Sequence, residues 1–161
     1  MALVRILVDG YSLLHGWPEL APGVARHSAR AREELIHILT SYHDATDEPI
    51  TIFFDGAGAP ANAPKNESSR DVEVLFSRAG QTADDMIERA AHRFQSYGEV
   101  LVVTNDHAER DVVGGFGGSV ASCGNFIRTV ENALAQLSDE LKHYNRAEQN
   151  RFKRPPGNKN K

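Results

Sequence analysis

Residues 3–9 read LVRILVD, and this stretch decides the fold class that we predict for the chain. Its apolar run covers residues 3–8, is interrupted only by Arg5, and ends at Asp9. A short, nearly continuous apolar run is typical of a strand buried on both faces of a parallel sheet. The run lacks the long apolar region of a signal peptide and falls far short of the ~20 residues that span a bilayer. We therefore expect an N-terminal strand in a soluble, cytoplasmic protein that does not contact a membrane.

Strand-like runs alternate with helical patterns along the rest of the chain, as in an α/β fold with a parallel sheet. A loop is predicted after the first strand, and the composition of residues 56–69, rich in Gly, Ala, Pro and Asn, predicts a second, exposed loop. Further strands are predicted at residues 50–54, 72–76, 100–103 and 119–122. Helices are predicted at residues 28–43, 82–97 and 125–144, with a short one after Asp106.

The length of 161 residues and the hydrophobic content of 40% are those of one globular domain. From Lys142 onward the chain has seven bases and one acid, a net charge of +6, which leaves −10 on residues 1–140 because the whole chain carries −4. We predict a domain over residues 1–145 and a basic, flexible tail over residues 146–161. The tail suits contact with phosphates; the alternative is a solvated terminus that only aids solubility. The single cysteine, Cys123, excludes an intramolecular disulfide and is expected to be buried.

Aspartates follow three of the predicted strands. Asp9 and Asp55 come directly after the first two strands, and Asp106 follows the strand at residues 100–103. Asp84 and Asp85 lie in the first turn of the helix that begins after Thr82. Because the carboxyl ends of parallel strands share one edge of the sheet, we expect these side chains to converge there.

A cluster of carboxylates is unfavourable unless something neutralises it. Two like charges 4 Å apart repel by about 4 kcal/mol at an effective dielectric constant of ~20. Either the pKa values rise or a cation binds among the acids. Carboxylate ligands favour hard cations, so we predict that Mg²⁺ or Mn²⁺ is the cofactor and that its ligands come from five acids. These acids are Asp9, Asp55, Asp84, Asp85 and Asp106. A metal held in this way can support phosphodiester hydrolysis.

Each aspartate also has a purely structural explanation. Asp-Gly after a strand is a common turn, which accounts for Asp9 and Asp55. Acids in a first helical turn gain about 0.3–1 kcal/mol from the helix dipole, which accounts for Asp84 and Asp85, and Asp106 can cap the helix that follows it. These explanations do not say why the acids fall on the same edge. Asp85 is the residue that a capping role fits best.

Several motifs together resemble a known family. Residues 6–14, ILVDGYSLL, resemble the opening VDGYN signature of the YacP-like branch of NYN domains, which belong to the PIN-like nuclease superfamily. The resemblance continues along the chain in the family's order. Residues 31–36 resemble its first helix, and FFDG at 53–56 resembles the end of its second strand. The segment 82–88, with TAD followed by IE, resembles a further helix, and VTND at 103–106 resembles a further strand end. It covers about residues 3–135 and leaves the basic tail outside.

This resemblance implies a PIN-like three-layer α/β/α sandwich with a central, mainly parallel sheet. It also implies metal-dependent endoribonuclease activity, with RNA as the substrate and the ribosome as a conceivable partner. Carried over by position, Asp9, Asp84 and Asp106 would be the metal-binding acids, with Asp55 close behind. Arg32 would contact the RNA backbone.

Two positions depart from the family pattern. Ser12 stands where the family usually has Asn, and Asn105 replaces the commoner Ser. The hydroxyl of Ser12 is shorter and donates only one hydrogen bond, so a contact with substrate or water is weakened. We keep Ser12, Arg32, Thr104 and Asn105 as candidate substrate-binding residues, with Thr104 and Ser12 orienting waters or the phosphate. The resulting hypothesis is an endoribonuclease that uses Mg²⁺ or Mn²⁺ to hydrolyse single-stranded RNA.

Two rival functions come from other classes. One is a catalytically inactive RNA-binding or ribosome-associated module with the same fold. The other is a phosphohydrolase or phosphoacceptor domain. A haloacid-dehalogenase-like enzyme needs Asp-x-Asp after the first strand, whereas this chain has Asp9-Gly10-Tyr11, which argues against this second rival. Nothing in the sequence indicates an oligomeric state.

Overall fold

A five-stranded parallel sheet forms the centre of the computed structural model, which describes residues 3–56 and 72–153. Its strands are β1 (Leu3–Asp9), β2 (Ile50–Phe54), β3 (Val72–Phe76), β4 (Glu99–Val103) and β5 (Ser119–Ala121). The order across the sheet is β3-β2-β1-β4-β5, and every pair of neighbours is parallel. The first strand of the chain therefore lies in the middle, where Val8 is level with Ile52 of β2 and Val103 of β4.

Helices cover both faces of the sheet, which confirms the predicted three-layer α/β/α sandwich. They are α1 (Gly10–His15), α2 (Ala29–Thr46), α3 (Ala83–Phe94), α4 (His107–Gly115) and α5 (Cys123–Lys153), with a 3₁₀ turn at Gln95–Tyr97. One buried cluster joins α1, α2 and α5 to one face of the sheet, with Leu13, Leu35 and Phe126 among its members. The other joins α3 and α4 to the opposite face through residues such as Ile87 and Val113.

Helices α2 and α3 begin at the predicted positions, and each begins directly after a capping residue. The Ser28 hydroxyl accepts a hydrogen bond from the Ala31 amide at the start of α2. At α3, the Thr82 side chain accepts from the Asp85 amide while the Asp85 carboxylate accepts from the Thr82 amide. This reciprocal pair is a capping box, which satisfies two otherwise unpaired backbone N–H groups and fixes the direction of the helix.

Two helices differ from the prediction. Residues 10–15 form the short helix α1 instead of part of a loop. Asp9 stabilises the start of this helix by accepting a hydrogen bond from the Ser12 amide. Helix α5 begins at Cys123 and continues to Lys153, whereas we predicted an end near Tyr144. No Gly or Pro occurs between Asn145 and Lys153, so nothing in that segment interrupts the helix. The predicted loop at residues 56–69 lies outside the described residues except for Gly56.

The remaining structural expectations concern Cys123 and membranes. The Cys123 side chain is buried and its thiol is free, as predicted. Helix α5 has 31 residues, yet neither it nor any other helix in the described part of the chain has a stretch apolar enough to cross a membrane.

Candidate metal centre

The strand order of the sheet reverses between β1 and β4. The chain moves outward from β1 through β2 to β3 and then returns to the other side of β1 for β4 and β5. In open parallel sheets, ligands bind at the carboxyl edge where the strand order reverses in this way. Asp9 ends β1 at this edge, and Thr104 follows the end of β4.

Three carboxylate side chains meet at this edge and form what we call the carboxylate centre: Asp9, Asp84 and Glu109. One oxygen atom from each of the three residues lies within 4.8 Å of those from the others. Each residue comes from a different element, since Asp9 ends β1, Asp84 lies in the first turn of α3, and Glu109 lies in the first turn of α4. Asp9 and Asp84 therefore lie close together, as predicted.

Glu109 is the member of the centre that sequence reasoning missed. We considered acids at strand ends and at the start of α3, but not an acid inside the first turn of α4. Its side chain is 2% exposed, and neither carboxylate oxygen has a hydrogen-bond partner among the described residues. An ionised carboxylate buried without a partner is strongly unfavourable. A cation between the three acids would supply the missing partner.

The electrostatics of the centre favour a proton or a cation. Burial is the main reason why the pKa of Asp9 is raised to about 6. The charge of Asp84 raises this pKa further, whereas the hydrogen bond from the Ser12 amide lowers it. Burial also raises the pKa of Glu109 well above its usual range, and the carboxylates of Asp84 and Asp9 add to that effect. Protons and divalent cations should therefore compete for this site.

Hydrogen bonds hold Asp9 in place from two sides. Its Oδ1 atom accepts from the Ser12 amide at 3.3 Å, and its Oδ2 atom accepts from the Thr104 hydroxyl at 3.5 Å. The Thr104 hydroxyl oxygen also accepts from the Asp106 amide at 3.1 Å. Because Asp106 caps α4, which carries Glu109, the Thr104 hydroxyl connects two members of the carboxylate centre.

The other predicted ligands lie outside the carboxylate centre. Asp106 is exposed and uses Oδ1 to accept from the amides of Ala108 and Glu109. Asp85 is exposed and takes part in the capping box of α3. Asp55 accepts from the Ser77 hydroxyl at 3.2 Å. The structural explanations that we gave for Asp85 and Asp106 describe their hydrogen bonds, and direct coordination of a metal by these three acids stays a prediction.

Ser12 and Asn105, the two departures from the family pattern, contact one another. The backbone amide of Asn105 donates to the Ser12 hydroxyl oxygen at 3.2 Å. The side-chain oxygen of Asn105 accepts from the backbone amide of Cys123 at 2.9 Å. The Ser12 Oγ atom also lies 3.5 Å from the Cys123 Sγ atom. These contacts tie together the starts of α1 and α5 and the end of β4, and a contact of either residue with substrate stays a prediction.

Arg32 lies on α2 beside the aromatic residues at one side of the sheet edge. Its Nη1 atom donates to the Tyr11 hydroxyl at 3.3 Å and to the His27 carbonyl at 3.0 Å. Its guanidinium carbon lies 5.5 Å from the centre of the Phe76 ring. These contacts fix the direction of the guanidinium group, whose predicted contact with an RNA phosphate stays a prediction.

Comparison with known proteins identifies the family. The model of the YacP-like NYN domain family matches residues 6–160, which extends into the tail that we expected to fall outside the resemblance. The uncharacterised protein YacP of Bacillus subtilis strain 168 is 31% identical over 138 residues, which is 85% of this chain and 81% of that protein. Two crystal structures of Rae1 (YacP) from Bacillus subtilis, one of them of a point mutant, are each 26% identical to the chain.

The structural agreement is close. The TM-score is 0.77 over 92% of this chain and 84% of Rae1, and 0.75 over 88% and 83% for the mutant. The parallel sheet and its helical layers are therefore the fold of these neighbours, a PIN-like nuclease fold. By its sequence and its fold, the chain belongs to the YacP-like NYN domain family.

Proposed function

We propose that this protein is a metal-dependent endoribonuclease that hydrolyses phosphodiester bonds of single-stranded RNA. The observation that carries this proposal is the carboxylate centre, in which the buried Glu109 has no described hydrogen-bond partner. The PIN-like nuclease fold supports it further. RNA as substrate, a ribosomal partner and a cytoplasmic location are parts of the same proposal.

The donor set of the centre suits a hard divalent cation. Asp9, Asp84 and Glu109 offer only carboxylate oxygens, which Mg²⁺ and Mn²⁺ prefer over the nitrogen and sulfur ligands of softer metals. When bound, such an ion supplies Lewis acidity and neutralises the negative charge that develops on the phosphate. Asp55, Asp85 and Asp106 are proposed as additional acids at the same edge.

The residues around the centre position it and bind the nucleic acid. The Thr104 hydroxyl and the Ser12 amide orient the two oxygens of Asp9. Arg32 and the bases from Lys142 onward are proposed to bind RNA phosphates. Because such contacts release counterions, the affinity for RNA should fall steeply as the salt concentration rises.

The test is an RNA cleavage assay of the wild type with and without EDTA, repeated with Asp9→Asn and Glu109→Gln. Both variants keep the size of the side chain and remove one negative charge. The exposed Asp139 on α5 offers a matched control, Asp139→Asn, which should cleave as the wild type does. Cleavage that survives EDTA and both substitutions at the centre would rule the mechanism out.

The same experiment distinguishes the rival function, an inactive RNA-binding module. The two departures at Ser12 and Asn105 are the observation that keeps this rival open. It predicts RNA binding that does not respond to metal, no cleavage under any condition, and an Asp84→Asn variant that binds RNA as the wild type does. The nuclease proposal instead predicts cleavage that requires the metal and is lost in Asp84→Asn.

A further inference from the structure

A pair of histidines lies on the surface, outside the carboxylate centre. His15 is the last residue of α1, and His27 directly precedes Ser28, the cap of α2. Both side chains are exposed, and their Nε2 atoms are 3.1 Å apart. We propose that His15 and His27 form a second metal site, which binds a divalent ion of borderline softness such as Zn²⁺ through the two imidazoles.

The separation of the two nitrogens suits a shared ion. With Zn–N bonds of about 2.0–2.1 Å, nitrogens 3.1 Å apart give an N–Zn–N angle of about 100°. This angle lies between the ideal octahedral and tetrahedral values. The ion lies off the line between the two nitrogens, so both rings turn towards it when it binds. Imidazole nitrogens suit Zn²⁺, Cu²⁺ and Ni²⁺, whereas the carboxylate centre suits Mg²⁺ and Mn²⁺. The two sites should therefore select different metals.

The polypeptide around the pair is held firmly by Arg26. Its Nη1 atom donates to the carbonyl of Leu14 at 3.3 Å, and Leu14 and Arg26 are the direct neighbours of His15 and His27 in the sequence. The same nitrogen donates to the carbonyls of Trp17 at 3.0 Å and Leu20 at 2.8 Å. The backbones that carry the two histidines are thus fixed relative to each other before any ion binds, which lowers the entropic cost of binding.

Aromatic packing restrains one of the two rings as well. The His27 ring lies against the Tyr11 ring, with centroids 4.2 Å apart and an angle of 37° between the planes. In the part of the chain that the structure describes, no third His, Cys, Asp or Glu completes a three-residue group around this pair. Water would fill the remaining coordination positions, so we expect an open, exchangeable site of modest affinity.

The experiment is a calorimetric titration of the full chain with Zn²⁺ in the presence of excess Mg²⁺, which occupies the carboxylate centre. Replacing either histidine, as His15→Ala or His27→Ala, should weaken Zn²⁺ binding at least about tenfold, because one of two protein ligands is lost. His37 is an exposed histidine on α2, and His37→Ala is the matched control that should bind Zn²⁺ like the wild type. Circular dichroism checks that each variant is folded.

Resonances of the histidine nitrogens give a second, independent measurement. Long-range ¹H–¹⁵N spectra should show Zn²⁺ shifting the Nε2 signals of His15 and His27 and leaving that of His37 in place. Equal Zn²⁺ affinity in the wild type and His15→Ala would overturn the proposal and leave the pair as a hydrogen bond between two imidazoles. Zn²⁺ binding that disappears only in Asp9→Asn would overturn it too, because the ion would then occupy the carboxylates.

Discussion

Glu109 and Asp9 have environments that disfavour their ionised forms. Glu109 is buried without a described hydrogen-bond partner, and Asp9 is kept in place by only two donors while Asp84 adds negative charge. Repulsion among the three acids would favour the binding of a cation, because an ion would remove an existing penalty as well as form new bonds. The site and the stability of the fold are therefore linked through single side chains.

The first prediction concerns pH in the absence of metal. Asp9 has a pKa of about 6 in the folded chain against 3.8 as its ordinary value, so the folded state holds a proton that the unfolded state has already lost. The contribution of Asp9 to stability therefore falls as pH rises from about 4 to 6, and the raised pKa of Glu109 adds a fall in the same direction that continues at higher pH. Urea unfolding in EDTA at several pH values measures this fall. A free energy of unfolding that rises with pH over this range would contradict the assignment.

The second prediction concerns Glu109 and the effect of Mg²⁺ on stability. At a concentration of 100 times the dissociation constant, a bound ion stabilises the folded state by about 2.7 kcal/mol, which corresponds to a rise in melting temperature of about 5–10 °C for a chain of this size. Thermal unfolding should show this rise for the wild type and for Asp139→Asn. It should be small or absent for Glu109→Gln, and a full rise in that variant would exclude Glu109 as a ligand.

At the scale of elements, the centre depends on how β1, β4, α3 and α4 meet. The Thr104 hydroxyl is buried and connects the end of β1 to the capped start of α4 through Asp9 and Asp106. Arg26 has a comparable role elsewhere, since it binds backbone carbonyls of the segment between α1 and α2. Each of these two side chains therefore connects separate segments of the backbone.

Thr104→Val provides the third prediction. Valine has nearly the same shape as threonine but leaves the Asp106 amide without its acceptor and Asp9 with the Ser12 amide as its remaining donor. Loss of such buried partners costs about 1–3 kcal/mol, so the free energy of unfolding should fall by that amount. Thr104→Ser keeps the hydroxyl and should lose much less. The measurement is urea unfolding, and equal losses in the two variants would show that the methyl group matters instead of the hydroxyl.

Arg26→Lys provides the fourth prediction. A lysine ammonium lacks the planar fork of the guanidinium and cannot reach the same set of carbonyls, so the segment between α1 and α2 should open more readily. Hydrogen–deuterium exchange of residues 16–27 should become faster in Arg26→Lys. The control is Arg30→Lys, an exposed arginine on α2, and unchanged exchange in Arg26→Lys would contradict the proposed role.

Across the whole molecule, the fold followed from sequence patterns more completely than the site did. Apolar runs predict the three inner strands β1, β2 and β4 because a parallel sheet buries its inner strands on both faces, whereas the edge strands β3 and β5 have weaker patterns. Thr82 predicts the start of α3 because capping is local chemistry. Asp9 and Asp84 were predicted because strand ends and helix starts have a known place in such a sheet. Glu109 was not, because its environment depends on how α4 packs against α3 and β1.

The fifth prediction concerns the end of α5 and the tail, at residues 146–161. Side chains of residues 138–147 and 149–151 are exposed, so a chain that ends at Asn145 should fold with nearly the same melting temperature. It lacks six bases and one acid, so it should bind single-stranded RNA less tightly. The slope of log affinity against log salt should shrink by about 0.7 for each RNA phosphate that the shortened chain no longer neutralises. An unchanged slope would mean that the tail does not touch RNA.

The central place of β1 has a consequence for how heat would affect the proposed activity. Asp9 ends a strand that has a partner on each side and a helical layer above and below. The amides of β1 can exchange with solvent only when the whole sheet opens, so they should be among the slowest in the chain. Fraying of the edge strands β3 or β5 would leave the base of the centre intact. Inactivation by heat should therefore coincide with global unfolding instead of preceding it.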